Sequence, residues 1–283
     1  MKESIKMMSQ KKIRPKRVGI VSKCSSTPIL NITRDIINLL SGCVDIAGDS
    51  LTAQKFNLDA KNVDAMDVDL IICIGGDGTI LRTLQALEKE VPVLGINMGA
   101  TGFLADAMPE NAMQIVKKSL AGFEVEKRMR LTVSLDDEDL PCATNEAVLL
   151  TSRPAKMLHF RVFVDGDELA TLRADGIVFA TPTGSTAYAM SAGGPIVDPR
   201  VEGIIIVPLA PFTLVARPSV VHASSRIKTE LLNEKDATVV IDGQFSKKLK
   251  EGDSIFVTRA DTSAAFVKTG STFFSKVRSK LKG

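Results

Sequence analysis

The sequence predicts an α/β N-terminal domain with a parallel sheet, an antiparallel sandwich-like β domain after it, and a C-terminal helix returning to the first domain. Three observations carry this. From Val18 to about Lys127, short apolar runs alternate with longer amphipathic segments, the pattern of strands and helices that build a covered parallel sheet. From Arg130 onward, short and often alternating runs follow one another with turn signals between them and few helical stretches. The last segment, Phe273–Leu281, has amphipathic spacing. These boundaries divide the chain into a basic flexible N-terminus (1–17), an α/β nucleotide-binding domain (18–128) with 262–283 packing back on it, and a β-rich domain (129–261).

In the first half, Val18–Val21 reads as a strand. Ile29, Ile32, Ile36, Ile37 and Leu40 share one helical face. Leu70–Ile74 is a continuous apolar run entering a glycine turn, as expected of a buried parallel strand in a Rossmann-like layer. Ile80–Leu87 resumes helical periodicity, Val91–Ile96 is a strand entering a second glycine turn, and Ala112–Leu120 is a helix. In the second half, strands are expected at Leu131–Leu135, Glu146–Leu150, His159–Val164, Gly176–Thr181, Gly203–Val207, Val239–Ile241 and Ile255–Thr258. Asp165-Gly166 and Asp242-Gly243 mark hairpin turns. One helix interrupts this half, starting near Ser185.

Composition excludes several classes. The chain is 45% hydrophobic and 24% charged with a net charge of +3, so it is not disordered. Its basic excess sits at the ends: residues 1–17 carry seven Lys/Arg against Glu3, and the tail from Lys276 carries four with no acid. Residues 18–275 hold 25 basic and 32 acidic groups, so the body is acidic and a phosphate-tracking nucleic-acid surface is not expected. Cys24, Cys43, Cys73 and Cys142 are scattered without a C-x-x-C pair, which fits neither a disulfide scaffold nor a zinc site. The N-terminus lacks an apolar signal region, and Ile204–Leu214 is cut by Pro208 and Pro211 and too short to span a bilayer. A reducing cytoplasmic location and no membrane partner are therefore expected.

Four stretches carry chemistry. In Gly75-Gly76-Asp77-Gly78-Thr79, a buried strand ends in three glycines within four residues and a helix follows. Bare backbone N–H groups and a positive helix N-terminus together cradle phosphate. Asp77 would repel that phosphate unless Mg²⁺ shields it or it accepts a proton from an attacking hydroxyl; as a plain structural residue it would cap the helix. The second glycine loop, Gly95–Leu104, leaves the next strand and should lie beside the first, because ligands collect at the carboxyl ends of parallel strands. Thr144-Asn145-Glu146-Ala147 opens an apolar strand with an amide and a carboxylate able to bind sugar hydroxyls or an adenine edge. The fourth stretch, Arg173 to Pro195, runs from a strand into a hydroxyl-rich turn, small residues and a double glycine. Thr183, Ser185 and Thr186 offer hydroxyls there, and Tyr188 is the only tyrosine in a chain without tryptophan.

In these blocks the sequence resembles the NAD kinases. GGDGT at Gly75–Thr79, Asn145-Glu146, DGIVFATPTGSTAY at Asp175–Tyr188, SAGGPI at Ser191–Ile196 and IDGQ at Ile241–Gln244 match that family's motifs in identity, order and approximate spacing. The resemblance covers Val18 to Leu281. It implies transfer of the ATP γ-phosphoryl group to the 2′-hydroxyl of the adenosine ribose of NAD, giving NADP, with Mg²⁺ arriving on ATP and no His/Cys metal site. It further implies Asp77 as general base, Gly75, Gly76, Gly78 and Thr79 as the ATP-phosphate cradle, and Asp77, Gly78, Phe103, Asn145, Glu146 and Gln244 in the NAD site. Thr183, Thr186, Ala187 and Tyr188 would form the adenine and ribose wall. Asp175 and Ser191 would reach the nicotinamide amide from a neighbouring subunit of a homodimer or homotetramer, and Arg173 would meet the new 2′-phosphate. Two departures bear on substrate preference. Pro211-Phe212-Thr213-Leu214 replaces the family's frequent Pro-His-Ser-Leu, and Thr101 stands where Leu is common. His159 and His222 match no motif. A lipid or sugar kinase built on the same glycine loop would leave Asn145-Glu146 and Asp175–Tyr188 unexplained, and a non-catalytic NAD sensor would release no ADP. A classical dehydrogenase is disfavoured because Ser22-Lys23-Cys24-Ser25, not a glycine fingerprint, follows the first strand.

Overall fold

The computed structural model of the chain describes residues 12–99, 102–153, 155–213, 216–233 and 236–280. Most of the basic N-terminus, Thr101, Leu214 and Leu281 lie outside the described residues. The chain divides into two compact units. The first comprises residues up to Thr79, Val91–Glu126 and Ala265–Ser271; the second comprises Ile80–Glu90, Lys127–Ala264 and the segment from Thr272.

The first unit follows β1 (Arg17–Ser22), α1 (Thr27–Leu40), β2 (Asp45–Gly48), α2 (Ser50–Phe56), β3 (Asp59–Ala60), β4 (Leu70–Gly75), the start of α3 (Asp77–Ala86), β5 (Val93–Asn97) and α4 (Pro109–Ala121). All its strands pair in parallel, in the spatial order β5-β4-β1-β2-β3. Ile71, Ile72, Cys73 and Ile74 of β4 are fully buried, as a central parallel strand covered on both faces requires. The expected face of α1 is the one that packs: Ile29, Ile36 and Leu40 are buried, and Pro28 sits in the first turn, where its missing N–H costs nothing. With Val18, Ile20, Ile72, Ile96 and Val116 they form one core.

Two differences from the expected elements have local causes. The helix after the first glycine turn begins at Asp77 rather than Ile80, because first-turn N–H groups need no intrahelical partner and glycine is tolerated there. A short helix, α2, and strands β2 and β3 fill the stretch between α1 and β4. The ends of α2 are set by Asp49, whose carboxylate accepts from Thr52 N at 3.2 Å, and by Asn57 in the left-handed region.

The second unit continues through β6 (Val125–Leu135), β7 (Glu138–Ala143), β8 (Glu146–Thr151), β9 (Leu158–Val164), β10 (Asp167–Ala174) and β11 (Gly176–Ala180). A 3-10 turn over Thr183–Thr186 and the single-turn α5 (Tyr188–Ser191) follow; together they are the expected interrupting helix. Then come β12 (Gly203–Leu209), β13 (Ser219–His222), β14 (Ile227–Leu231), β15 (Ala237–Ile241), β16 (Phe245–Leu249), β17 (Ser254–Val267) and α6 (Phe273–Lys280). One antiparallel sheet runs β13-β12-β11-β8-β15-β16. A second antiparallel set runs β10-β9-β14-β17, and the end of β17 continues into the first unit, where Phe266 pairs with Val93 of β5. Leu149, Phe179 and Val239 from the first sheet meet Phe160, Ile227 and Val257 from the second in a shared core, so the unit is a sandwich. Fully burying a Phe such as Phe160 or Phe179 is worth about 1.5–3 kcal/mol. Both expected Asp-Gly turns close hairpins, β9–β10 and β15–β16, with both central residues at positive φ.

Candidate functional site

The first unit carries a carboxylate in a nest of amides. β4 delivers Asp77 to the head of α3, at the carboxyl end of the parallel sheet, and β5 delivers the second glycine loop to the same end. The expected neighbourhood of the two loops is realised through Asp77 itself. Its Oδ2 accepts from Phe103 N at 2.6 Å, Leu104 N bridges Oδ1 and Oδ2 at 3.2 and 3.3 Å, and Ala105 N reaches Oδ1 at 3.3 Å. Gly102 makes this approach possible: a Cβ there would lie 2.5 Å from Asp77 Oδ1. Asp77 therefore does more than cap its own helix. Thr79 is buried, with its N–H bonded to Gly76 O, whereas Gly76 is half-buried and Gly78 exposed, so open space surrounds the loop's crest. Phe103 is half-buried.

The second unit carries a convergence of three segments. At the start of β8 lie Thr144, Asn145 and Glu146; at the end of β11 lies the hydroxyl-rich turn; at the end of β15 lies the Asp242 turn. Thr181 N donates to Asn145 O at 2.8 Å and Thr181 Oγ1 to Thr144 O at 2.7 Å, tying the first two together. Asp242 Oδ2 accepts from Thr144 N at 2.7 Å, and Oδ1 accepts from Asn145 N and Glu146 N at 2.8 and 3.0 Å, tying in the third. The resulting edge has polar side-chain atoms with nothing to bond: Thr144 Oγ1, Asn145 Oδ1, Glu146 Oε2 and Thr183 Oγ1 are buried and without a protein partner. A buried polar atom left unsatisfied costs about 1–3 kcal/mol, so four at one place mark a surface built for a polar guest. Behind it, Ala189 of α5 packs against Val148, Val178 and Val207, which lets the small-residue helix lie flat on the sheet.

Glu146 is 8% exposed. Burial pushes its pKa up to about 8 and the nearby Asp242 charge adds to the rise, while the Tyr188 N–H opposes it. Burial also raises Asp242, against the pull of its three N–H donors and of the Arg130 guanidinium. Glu146 is thus a neutral carboxyl at pH 7, able to donate as well as accept. A folded pKa above the unfolded value means that this group's contribution to stability is complete below about pH 4.5 and drains away as pH rises through about 8. The melting temperature of the ligand-free protein is therefore expected to fall from pH 6 to pH 9, and Glu146→Gln to flatten that fall; thermal scans across this range check it. A wild-type melting temperature constant over the range would show that Glu146 ionises as a surface acid does.

The other expected site residues divide. Thr186 is buried beside Thr183, Ala187 is half-buried, and Tyr188 is 42% exposed at the head of α5. Gln244 is exposed, its Nε2 donating to Asp242 O at 3.4 Å. Ser191 is exposed at the end of α5. Arg173 and Asp175 stand elsewhere: they flank the start of β11, where Gly176 pairs with Leu150, whereas Ala180 at its other end pairs with Glu146. Four residues of strand separate these ends by about 13 Å. Arg173 is exposed on β10, and its carbonyl accepts from Phe212 N; Phe212 itself is 69% exposed. Sequence reasoning assigned no role to Asp242, Arg130 or Gly184. The Asp-Gly turn was visible, but not what its carboxylate holds.

Comparison with known proteins agrees in both halves. Residues 6–123 match the ATP-NAD kinase N-terminal domain and residues 144–269 the ATP-NAD kinase C-terminal domain. The NAD kinase of Methanosarcina mazei is 44% identical over 271 residues, covering 94% of each chain. That of Methanothermobacter thermautotrophicus is 47% identical over 275 residues, covering 94% of this chain and 96% of the other. Among solved structures, an NAD kinase from Archaeoglobus fulgidus in complex with ATP has a TM-score of 0.79 at 36% identity, covering 93% of this chain and 99% of that one. Yeast NADH kinase complexed with NADH has a TM-score of 0.85 at 25% identity, with 93% and 86% covered.

Proposed function

This chain belongs to the NAD kinase family of phosphotransferases, and from that premise we propose that it transfers the γ-phosphoryl group of ATP to the 2′-hydroxyl of the adenosine ribose of NAD, giving NADP and ADP. The observation that carries this reading is Asp77: a carboxylate at the mouth of a glycine-rich, helix-heading loop, held by three amides and close to open space. Phosphoryl transfer through a loose transition state needs positioning and charge neutralisation more than strong basicity. The Leu104 N–H is split between the two oxygens at 3.2 and 3.3 Å, so an ionised carboxylate with about four acceptor directions can give one of these long shares to the ribose hydroxyl. Asp77 would take that proton late, as the hydroxyl acidifies on bond formation.

Gly75, Gly76, Gly78 and Thr79 would hold phosphate oxygens through backbone N–H groups. Among the described residues no group of three or more His, Cys, Asp or Glu is placed to hold a metal ion. Mg²⁺ commonly relies on one or two carboxylates together with substrate phosphates, and a lone Asp77 in a phosphate loop fits a cation arriving on ATP. Bound there, it would screen the phosphate charge that Asp77 otherwise repels.

Dinucleotide recognition rests on the unsatisfied edge of the second unit. Asn145 and Glu146 would bind NAD polar groups, Thr183, Thr186, Ala187 and Tyr188 would wall adenine and ribose, and Gln244 and Phe103 would add contacts. Arg173 and Asp175, displaced along β11 from that edge, suit a site completed between subunits of a homodimer or homotetramer, with Ser191 joining Asp175 at the nicotinamide amide and Arg173 meeting the 2′-phosphate. The four free cysteines suit a reducing cytoplasm, and no described helix is long and apolar enough to cross a membrane. An assay supplying ATP, Mg²⁺ and NAD, with NADP read through an NADP-specific dehydrogenase, tests the reading. NADP formation is expected; NAD binding without ADP release would indicate a sensor, and ADP release only with a lipid or sugar acceptor would indicate a different kinase.

A further inference from the structure

We infer that Asp242 is the positioning residue of the dinucleotide edge: by taking all three backbone N–H groups of Thr144, Asn145 and Glu146, it leaves the side chains of Asn145 and Glu146 to the ligand. The inference rests on the proposed NAD-binding role of that edge and goes beyond it. Asp242 is 4% exposed, and its own N–H returns a bond to Glu146 O at 3.0 Å, so turn and strand start are clasped in both directions. The turn between β15 and β16 puts Asp242 at φ 50°, in the left-handed region that aspartate accepts. Asn or Gly would fit there equally well. What only a carboxylate supplies is two acceptor oxygens and no donor, the complement of three converging N–H groups.

The second consequence is electrostatic. Asp242 is a like charge beside Glu146 and favours its neutral form. Among the described residues, the charged group that acts on Asp242 is Arg130 from β6, with its Nη2 donating to Cys142 O at 2.9 Å, and the backbone N–H of Tyr188 at the head of α5 acts on Glu146. A neutral Glu146 tolerates an anionic dinucleotide; an ionised one repels it. Asp242 thus fixes the position of the edge and favours the neutral form of Glu146.

The test is NAD binding by calorimetry from pH 6 to pH 9, beside NADP formation, on wild type and Asp242→Asn. The variant keeps the turn and the volume but sets an NH₂ against the N–H cluster. Its NAD affinity is expected to fall about ten- to hundredfold, as for losing buried hydrogen bonds to a charged acceptor, with KM for ATP within about twofold. Wild-type NAD affinity should weaken above about pH 8, and in the variant this weakening should begin at lower pH, a shift that loose packing alone would not produce. Unchanged affinity together with an unmoved pH profile overturns the inference. If Asp242→Asn does not fold, amide hydrogen exchange on the wild type decides: protection at residues 144–146 is expected, and rapid exchange there refutes the clasp. Wild-type protein that binds NAD but forms no NADP refutes the kinase reading and leaves this inference standing. Wild-type protein that does not bind NAD refutes both.

Discussion

Asp77→Asn is expected to lower kcat by about 10²- to 10⁴-fold, the range for losing a general acid–base group, while KM for NAD changes by less than about tenfold. The structure sharpens this expectation, because Asp77 has two duties. Its oxygens accept from Phe103, Leu104 and Ala105 N–H groups and so hold the second glycine loop. Asparagine keeps one oxygen and adds an NH₂ that faces donors, so some loosening of that loop is unavoidable. Loosening would appear mainly in substrate affinity and in local amide exchange. Loss of the base would appear in kcat at saturating ATP and NAD. Steady-state kinetics with both substrates varied separates the two. Turnover within a few-fold of wild type would remove Asp77 from the chemistry and leave it only the loop.

How much of this was legible in the sequence differs between the two units. The β4–glycine loop–α3 junction was readable because a fully buried parallel strand is a continuous apolar run, and three glycines break it sharply. The stretch holding β2, α2 and β3 was not. α2 has seven residues, too few for a helical period to show, and its cap at Asp49 and stop at Asn57 are single residues whose meaning depends on each other. β10 misleads in another way: Asp-Glu-Leu-Ala-Thr-Leu-Arg-Ala favours a helix locally, and a hairpin with β9 overrides that preference at a largely exposed edge. The candidate site shows the same limit. Motif residues announced themselves by type and spacing, whereas Asp242 meets Thr144, Asn145 and Glu146 across 96 to 98 positions. No local pattern encodes a contact that long; only the pairing of β15 with β8 puts it in view.

The same long-range closure makes Gly184→Ala the second large effect. A Cβ on Gly184 would lie 2.1 Å from Asn145 O, 2.5 Å from its carbonyl carbon and 2.8 Å from its Cα. All three are backbone atoms, so no flexible side-chain end can swing aside. Nor is Asn145 free to retreat: its O accepts from Thr181 N at 2.8 Å, and its N–H is held by Asp242 at 2.8 Å. One added methyl must therefore push the hydroxyl-rich turn off the start of β8 or break the Asp242 clasp. Overpacking of this kind costs about 1–3 kcal/mol and occasionally more, and a rigid backbone obstacle belongs at the upper end. At about 2–4 °C per kcal/mol for a domain of this size, the melting temperature should fall by about 6–12 °C, and NAD affinity should fall with it. Gly99→Ala is the control, since among the described residues its methyl would meet only Asn97 Oδ1, at an ordinary 3.6 Å. If Gly184→Ala melts with the wild type and binds NAD as tightly, the turn and the Asn145-Glu146 strand are not in contact, and the recognition edge built from them does not exist in solution.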